Sequence, residues 1–274
     1  ELKPFGTYTA KLKVWDDADE TAEAELTFET GRMSEPWHAE WITDGEYHFT
    51  EKKVSPVPMT FRKKFNLDKN VKSARIYTTA IGIYELALNG SKVGDEFFAP
   101  GFTSYKSRLQ YQTYDVTKAL RENNELLVTV AGGWAVGSFI YTRKNRITAD
   151  RQALLLEVRI QYEDGTIQII KTDSDWDVTM RGSYRAADFY DGETYDATVR
   201  LNDIDYHKAV IEKVNIHPII SAACGAPVRA HEKMLPVSCN LTKEGFVYDF
   251  GQNFAGVVQL KLKGKRGQKV TVRH

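Results

Sequence analysis

Cysteine is scarce in this chain: Cys224 and Cys239 are the only two among 274 residues. Two thiols cannot make the disulfide framework of a small secreted domain, and there is no Cys-x-x-Cys pair or Cys/His cluster at zinc spacing. The six histidines are scattered. Charge of one sign is not in excess either, since 37 basic side chains meet 37 acidic ones. That balance argues against the footprint of a nucleic-acid binder and a polybasic membrane anchor. No apolar run approaches the ~20 residues of a membrane span, and no signal peptide opens the chain. Neither nucleic acid nor a membrane is therefore an expected partner. The first residues do not read as a natural start, so the compartment, cytoplasmic or secreted, stays open. Helical periodicity is missing as well. The longest helix the pattern supports runs over 116–121, about two turns. There are no internal repeats and no low-complexity tracts.

What is present is aromatic and strand-like. The chain has fourteen Tyr, thirteen Phe and five Trp. Such rings pack sandwich cores and also stack on sugar faces. The stretch 74–134 organises the rest. Residues 74–80 and 83–88 read as strands. Asn89-Gly90 follows, a pair suited to a type I′ turn because both positions need φ > 0, and 91–94 returns antiparallel. Phe97, Phe98, Pro100-Gly101 and Phe102 form an aromatic loop with a turn at its centre. Residues 109–114 are another strand, after which Asp115 caps a short helix over 116–120. Residues 126–131 are a continuous apolar run, the pattern of a strand covered on both faces. Gly132-Gly133-Trp134 breaks that run.

On the N-terminal side, 6–15 alternates, with Tyr8, Ala10, Leu12 and Val14 on one face. After an acidic turn at 16–20, 25–30 is a second strand with Leu26 and Phe28 inward. The turn lacks the spaced oxygen ligands of a calcium loop and reads as a solvated hairpin tip. Two strands alone are not a stable unit, so the chain is expected to begin inside a small β-domain. Residues 35–42 are a connector that Trp37 and Trp41 pin to the next domain. Residues 45–54 read as a loop and 59–67 as the first strand of the sandwich. After the glycines, 138–151 is a basic, solvated loop carrying Arg143, Lys144, Arg146 and Arg151. Residues 153–162 alternate, with Leu154, Leu156, Val158, Ile160 and Tyr162 inward and Glu157, Arg159 and Gln161 outward. Strands at 166–171 and 176–179 follow. Residues 206–214 return to the sandwich and 215–227 are a connector. A second β unit starts at Val228, with strands at 246–250, 256–262 and 269–273 and a turn at 264–267. Its last strand ends without punctuation, so both chain ends read as cut.

Four stretches together resemble the N-terminal accessory region of bacterial α-L-rhamnosidases of glycoside hydrolase family 78: WHAEWI (37–42), YELALNGSKVGDEFFAPGFTSYKSRLQYQTYDVT (84–117) with its later GGW, YDGETYDA (190–197), and APVRAHEKMLPVS followed by VYDFGQNFAGVVQLKLKGKRGQKVTVRH (247–274). The resemblance implies an all-β chain built on a galactose-binding-like jelly-roll β-sandwich flanked by partial β-domains. Residues 1–35 would be the end of a fibronectin-III-like domain plus linker, 36–215 the jelly roll, and 216–274 the start of a second β-sandwich. The family's catalytic acid and base sit in an (α/α)6 barrel, which needs on the order of a few hundred helical residues. This chain contains none of it, so its implied partner is that barrel and the chain alone is expected to be hydrolytically inert. In family members whose jelly roll binds rhamnose, calcium helps to hold the sugar hydroxyls. The resemblance places the acidic–amide pair for that role just before the Tyr-Glu-Leu strand, at Ile81-Gly82 here. Neither residue has a side-chain oxygen, and hard cations need oxygen ligands. No cofactor is expected.

The densest carboxylate group is Asp188, Asp191, Glu193 and Asp196, interleaved with Phe189, Tyr190 and Tyr195. One reading makes Trp134, Tyr190, Asp191, Glu193 and Asp196 a carbohydrate site, with carboxylates accepting from sugar hydroxyls and rings covering apolar sugar faces. The other makes the acids strand-flanking caps on backbone N–H groups, paired with Arg185 and Arg200, and makes Trp134 a core or interface plug. Gly251-Gln252-Asn253 marks a β-bulge. The Asp-Phe-Gly triplet before it has no accompanying kinase loops, and His231-Glu232 lacks the second His of a zinc protease motif.

Overall fold

In the computed structural model, residues 1–45, 54–139 and 142–273 are described, and the chain divides into two units, Glu1–Val228 and Arg229–His274. The loop expected over 45–54 lies almost entirely outside the described residues.

Two sheets carry the first unit. One has six strands in the order His207–Lys208, Asp177–Thr179, Met59–Asn66, Asn123–Ala131, Ile83–Leu88 and Ser91–Lys92. The other runs Val210–Ile211, Ile42–Thr43, Ala153–Tyr162, Val71–Ile81, Arg108–Asp115 and Ile219–Ala222, with Ile167–Lys171 also paired to Ala153–Tyr162. Neighbours are antiparallel except at one edge, where Ile219–Ala222 runs parallel to Arg108–Tyr111. The alternation at 153–162 holds: Leu154, Leu156, Val158, Ile160 and Tyr162 share one buried cluster with Phe61, Leu86, Val128 and Trp176. Full burial of an aliphatic or Phe side chain contributes about 1.5–3 kcal/mol. A second cluster, with Ile81, Tyr105, Leu109, Ala135 and Val136, lies under the loops, and Trp41 and Trp134 pack against it. The expected all-β sandwich is what forms.

The hairpin signal is also met. Asn89 and Gly90 have φ of +54° and +79°, and Leu88 pairs with Ser91 across them. The apolar run before the glycines is less enclosed than expected: Leu126, Val128 and Val130 are buried, but Leu127 and Thr129 are half-buried because the outer face of that sheet is only partly covered. The helix expected over 116–121 does not form. Asp115 Oδ1 accepts from the Thr117 N–H (2.9 Å) as a cap should, yet the segment closes a single turn through Ala119 N–H to Val116 O (2.9 Å). Asn124 then accepts from the Arg121 N–H (2.8 Å) and stops any further winding.

At the N-terminal end, Thr7–Trp15 and Thr21–Glu29 form a two-stranded sheet in register from Thr7 opposite Glu29 to Trp15 opposite Thr21. Asp16 Oδ1 accepts from the N–H groups of Ala18 and Glu20, both at 2.9 Å, so the acidic tip is a hydrogen-bonded turn. Leu26 and Phe28 are exposed rather than inward, because no second layer covers this sheet among the described residues.

The second unit holds an antiparallel hairpin, Ser238–Thr242 with Gly245–Asp249. Its turn at Lys265–Gln268 is present (Gln268 N–H to Lys265 O, 3.0 Å; Gly267 φ +83°). The flanking segments 256–262 and 269–273 carry no regular secondary structure. Their alternation describes a half-buried surface, and a strand exists only as part of a ladder. Val257, Leu260, Leu262, Val270 and Val272 are exposed. Gly251 does not form a bulge. Its N–H donates to Asp249 Oδ1 (2.8 Å), which ends the strand in a turn.

Candidate functional site

The Gly-Gly-Trp break builds one wall of the site. Gly133 has φ +52°, and a Cβ there would meet Ile83 Cγ2 at 2.7 Å, so only glycine lets the chain turn this closely. The turn opens a one-turn helix, Gly133–Val136, which ends at Gly137. Trp134 leaves it half-buried and stacks on Phe189, with centroids 4.3 Å apart and planes 28° apart. Phe98 meets Trp134 at 6.0 Å and Phe189 at 5.3 Å, both edge to face. Phe102 adds a contact to Trp134 at 5.8 Å and a stacked one to Phe139 at 6.2 Å. Phe98, Phe102 and Phe189 are all exposed, Phe102 by 60%. The result is an aromatic surface cluster assembled from three loops.

A buried hydrogen-bond network presents the Phe98 loop. Tyr84 OH lies 2.9 Å from Gln112 Oε1 and 3.0 Å from Tyr114 OH, Tyr114 OH donates to Glu96, and Gln112 Nε2 donates to Pro100 O (3.2 Å). Burial pushes the Tyr84 and Tyr114 phenols far up; Tyr114 raises Tyr84 further, and Glu96 raises Tyr114 while the bond with Tyr84 partly offsets it, so both stay protonated donors. Phe98 itself has φ +61°, a left-handed conformation held by these contacts and by the Gly101 N–H to Phe98 O bond (2.9 Å). Arg143 (φ +47°) and Arg146 (φ +56°), in the basic loop beside the cluster, are left-handed too.

The acidic wall is a hairpin, Tyr184–Asp188 with Gly192–Tyr195. Asp188 Oδ1 accepts from the N–H groups of Tyr190 (2.8 Å) and Asp191 (3.1 Å), and its Oδ2 accepts from the Ser138 N–H (2.7 Å) and the Ser55 hydroxyl. Asp191 Oδ2 accepts from Ser138 Oγ (2.8 Å), and its Oδ1 pairs with Arg143 at 3.2 Å. The structure thus brings Trp134 and Asp191 to one place through Phe189 and Ser138. Tyr190 is exposed beside them, and Glu193 is exposed on the returning strand. Asp196 stands at the far end of the hairpin. There it accepts from the Thr198 hydroxyl (2.6 Å) and N–H (2.9 Å), and these bonds lower its pKa. The capping reading therefore describes Asp188 and Asp196, and the charge of Arg185 helps to lower the Asp196 pKa, while the arginine that pairs with Asp191 is Arg143. Nor is the basic loop merely solvated, since Arg151 pairs with Glu212 and, at 3.1 Å, with Asp150. Sequence reasoning missed Ser55, Ser138 and Arg143 as neighbours of the acids. Ser138 and Arg143 were signalled only by their position after the glycine break, and Ser55 by nothing local.

The two carboxylates nearest the rings are already engaged. Glycoside hydrolysis needs one carboxyl free to give a proton and another free to act on water or the sugar. Asp188 is filled by four donors and Asp191 is held by Ser138 and Arg143. Ile81 is fully buried and Gly82 turns the chain at φ +131°, so this position offers a cation no side-chain oxygen. Among the described residues no three His, Cys, Asp or Glu side chains lie close enough together to hold a metal ion.

Among the described residues the first unit is thus a two-sheet β-sandwich that carries an aromatic, acid-lined loop surface. Residues 69–237 match the α-L-rhamnosidase N-terminal domain and 240–274 match the bacterial α-L-rhamnosidase concanavalin-like domain, so the chain belongs to the α-L-rhamnosidase N-terminal domain family. It is 35% identical over 246 residues to an α-L-rhamnosidase of Streptomyces avermitilis, covering 81% of this chain and 23% of that protein. It is 32% identical over 254 residues to one of an Alteromonas species, covering 86% and 27%. Among solved structures, α-L-rhamnosidases of Aspergillus terreus (TM-score 0.81) and Dictyoglumus thermophilum (TM-score 0.79) superpose at 30% identity. These cover 92% and 93% of this chain and 31% and 30% of those chains. The chain thus spans about a quarter to a third of the length of the relatives it matches.

Proposed function

We propose that this chain is the non-catalytic front of an α-L-rhamnosidase. Its parent hydrolyses terminal α-L-rhamnosyl bonds with inversion, and this part docks an (α/α)6 catalytic barrel and shapes access to it. The family match over 69–237 carries the reading. It is supported by a scaffold whose only α-helix, among the described residues, is four residues long. Residues 1–35 serve as the end of a fibronectin-III-like domain plus linker, 36–215 as the galactose-binding-like jelly roll, and 216–274 as the opening of a second β-sandwich, reached through Ile219–Ala222, which still pairs with the edge of the jelly roll. The test is turnover of p-nitrophenyl α-L-rhamnoside. The full-length protein is expected to hydrolyse it and residues 1–274 alone are not. Turnover by the 274 residues would overturn the assignment.

A second reading makes the aromatic cluster a carbohydrate-binding surface, with Trp134 as the platform and Tyr190, Asp191, Glu193 and Asp196 as the polar side. The proximity of Trp134, Phe189 and Asp191 favours it for the first three of these residues, while Asp196 at the far end of the hairpin does not join them. Titration with L-rhamnose, with and without EDTA, tests it. Saturable binding at millimolar or lower concentration, lost in Trp134→Ala, is expected on this reading.

A further inference from the structure

The N-terminal hairpin is exposed along almost its whole length, yet its base meets the sandwich at a buried charge pair. Arg32, the third residue after the second hairpin strand, is 2% exposed, and Glu157 on the strand Ala153–Tyr162 is 3% exposed. Alternation sends Glu157 out of the core, to the outer face of its sheet. It is buried there because the connector lies over it. Arg32 Nη1 pairs with Glu157 Oε2, and Nη2 donates to Pro36 O at 2.6 Å. The guanidinium plane lies 3.9 Å over the Trp37 ring, with Tyr77 at 5.7 Å and Phe5 at 5.9 Å. Glu157 Oε1 accepts from the backbone N–H groups of His38 and of Ala39 (2.9 Å). One carboxylate thus holds the residue that leaves the hairpin and two amides further along the connector. Around the pair, Phe5 packs edge-on against Tyr77 (5.5 Å), Arg159 covers Phe5 (4.4 Å) and Trp37 packs against Tyr111 (5.7 Å). Arg75 adds two bonds to Glu29, at 2.9 and 2.6 Å, in a more exposed position.

A buried ion pair is a poor source of net stability, because desolvating both charges offsets most of their attraction. Arg32 Nε is in addition buried without a hydrogen-bond partner. What the pair supplies is direction: a planar fork and a carboxylate meet in few geometries, whereas an apolar contact slides. We propose that Arg32 and Glu157 form an orientation lock, fixing the angle at which the N-terminal hairpin stands on the outer face of the sandwich rather than holding the sandwich together. The inference is independent of the activity of the parent protein.

The test uses the full chain with Cys224 and Cys239 replaced by Ser and spin labels at Lys11 on the hairpin and Lys118 on the sandwich. Arg32→Met combined with Glu157→Gln removes both charges, keeps volume, and leaves an amide oxygen for the His38 and Ala39 N–H groups. The unaltered chain is expected to give one narrow label-to-label distance. The double variant is expected to give a broad one, with amide exchange over 32–41 faster by about tenfold or more and exchange over 126–131 and 154–160 unchanged. Arg75→Ala is expected to keep the distance narrow. A distance as narrow in the double variant as in the unaltered chain would overturn the lock. Equal broadening in Arg75→Ala would overturn it as well, and so would loss of the protected core in the double variant, which would make the pair a general stabiliser.

Discussion

Trp134 and Phe189 lie ring on ring, 4.3 Å apart, although one follows a broken strand of the sandwich and the other caps a separate hairpin. The stack is the apolar part of the joint between these two pieces, beside the bonds from Ser138 and Arg143 to Asp188 and Asp191. Trp134→Ala is expected to lower the stability of the first unit by about 1–3 kcal/mol, while Phe102→Ala, at a more exposed ring, stays within about 0.5 kcal/mol. Urea unfolding measures both. Equal effects would mean that the stack is not the joint.

Asp188 accepts four hydrogen bonds from three segments, and Glu193, on the same hairpin, is exposed. Asp188→Ala is expected to cost about 1.5–3 kcal/mol, because backbone donors lose a charged acceptor. Glu193→Ala is expected to be neutral within about 0.5 kcal/mol. Far-UV-monitored unfolding separates the two.

The Tyr184 phenol is pushed up to about 12 by burial first, then by the charges of Glu85 and Glu193. A nearby carboxylate disfavours phenolate, so Glu193→Gln is expected to lower the Tyr184 value and leave the other tyrosines alone. Ultraviolet titration of phenolate absorbance, with Tyr184→Phe to assign the signal, checks this. An unchanged curve would place Glu193 away from the ring.

Two carboxyls predict how acid acts. Asp164 is lowered to about 2 by the Thr166 hydroxyl and by Lys69. Burial pushes Asp177 up, but Lys208 and Arg62 outweigh it and lower its pKa below 3.8. A carboxyl with a depressed folded pKa stabilises the native state fully above its unfolded value and loses that contribution as pH falls through the folded one. For Asp164 that window runs from 3.8 down to about 2. Asp164→Asn and Asp177→Asn are expected to flatten the fall in stability below pH 3.8 and to change nothing in its slope at neutral pH. A carboxyl-carbon titration by NMR checks the assignment of Asp164.

The sandwich was legible because its strands obey a period of two and its turns carry their own chemistry. Leu154 to Tyr162 alternate as they pack, and Asn89-Gly90 adopts the positive φ pair that the residues themselves favour. The site was legible only in pieces. Trp134, Phe98 and Phe189 each stood out as aromatics in loops, but which loops meet is decided by sheet order, which no local pattern encodes. Glu157 shows the same limit. Alternation sent it outward correctly, while its burial depends on Arg32 and the connector returning over that face. The two strands not found at 256–262 and 269–273 mark the opposite case, a correct alternation with no ladder to complete it.

The parallel segment Ile219–Ala222 has a consequence for how the molecule can be divided. It hydrogen-bonds along Arg108–Tyr111, where the Ile219 N–H reaches Ser107 O at 3.0 Å and the Ala223 N–H reaches Tyr111 O at 2.9 Å. The tether out of the sandwich is thus also the shutter over its otherwise open border. Any shortened version that stops before Ile219 would bare a row of unsatisfied amides and carbonyls, a template for sticking to a second copy.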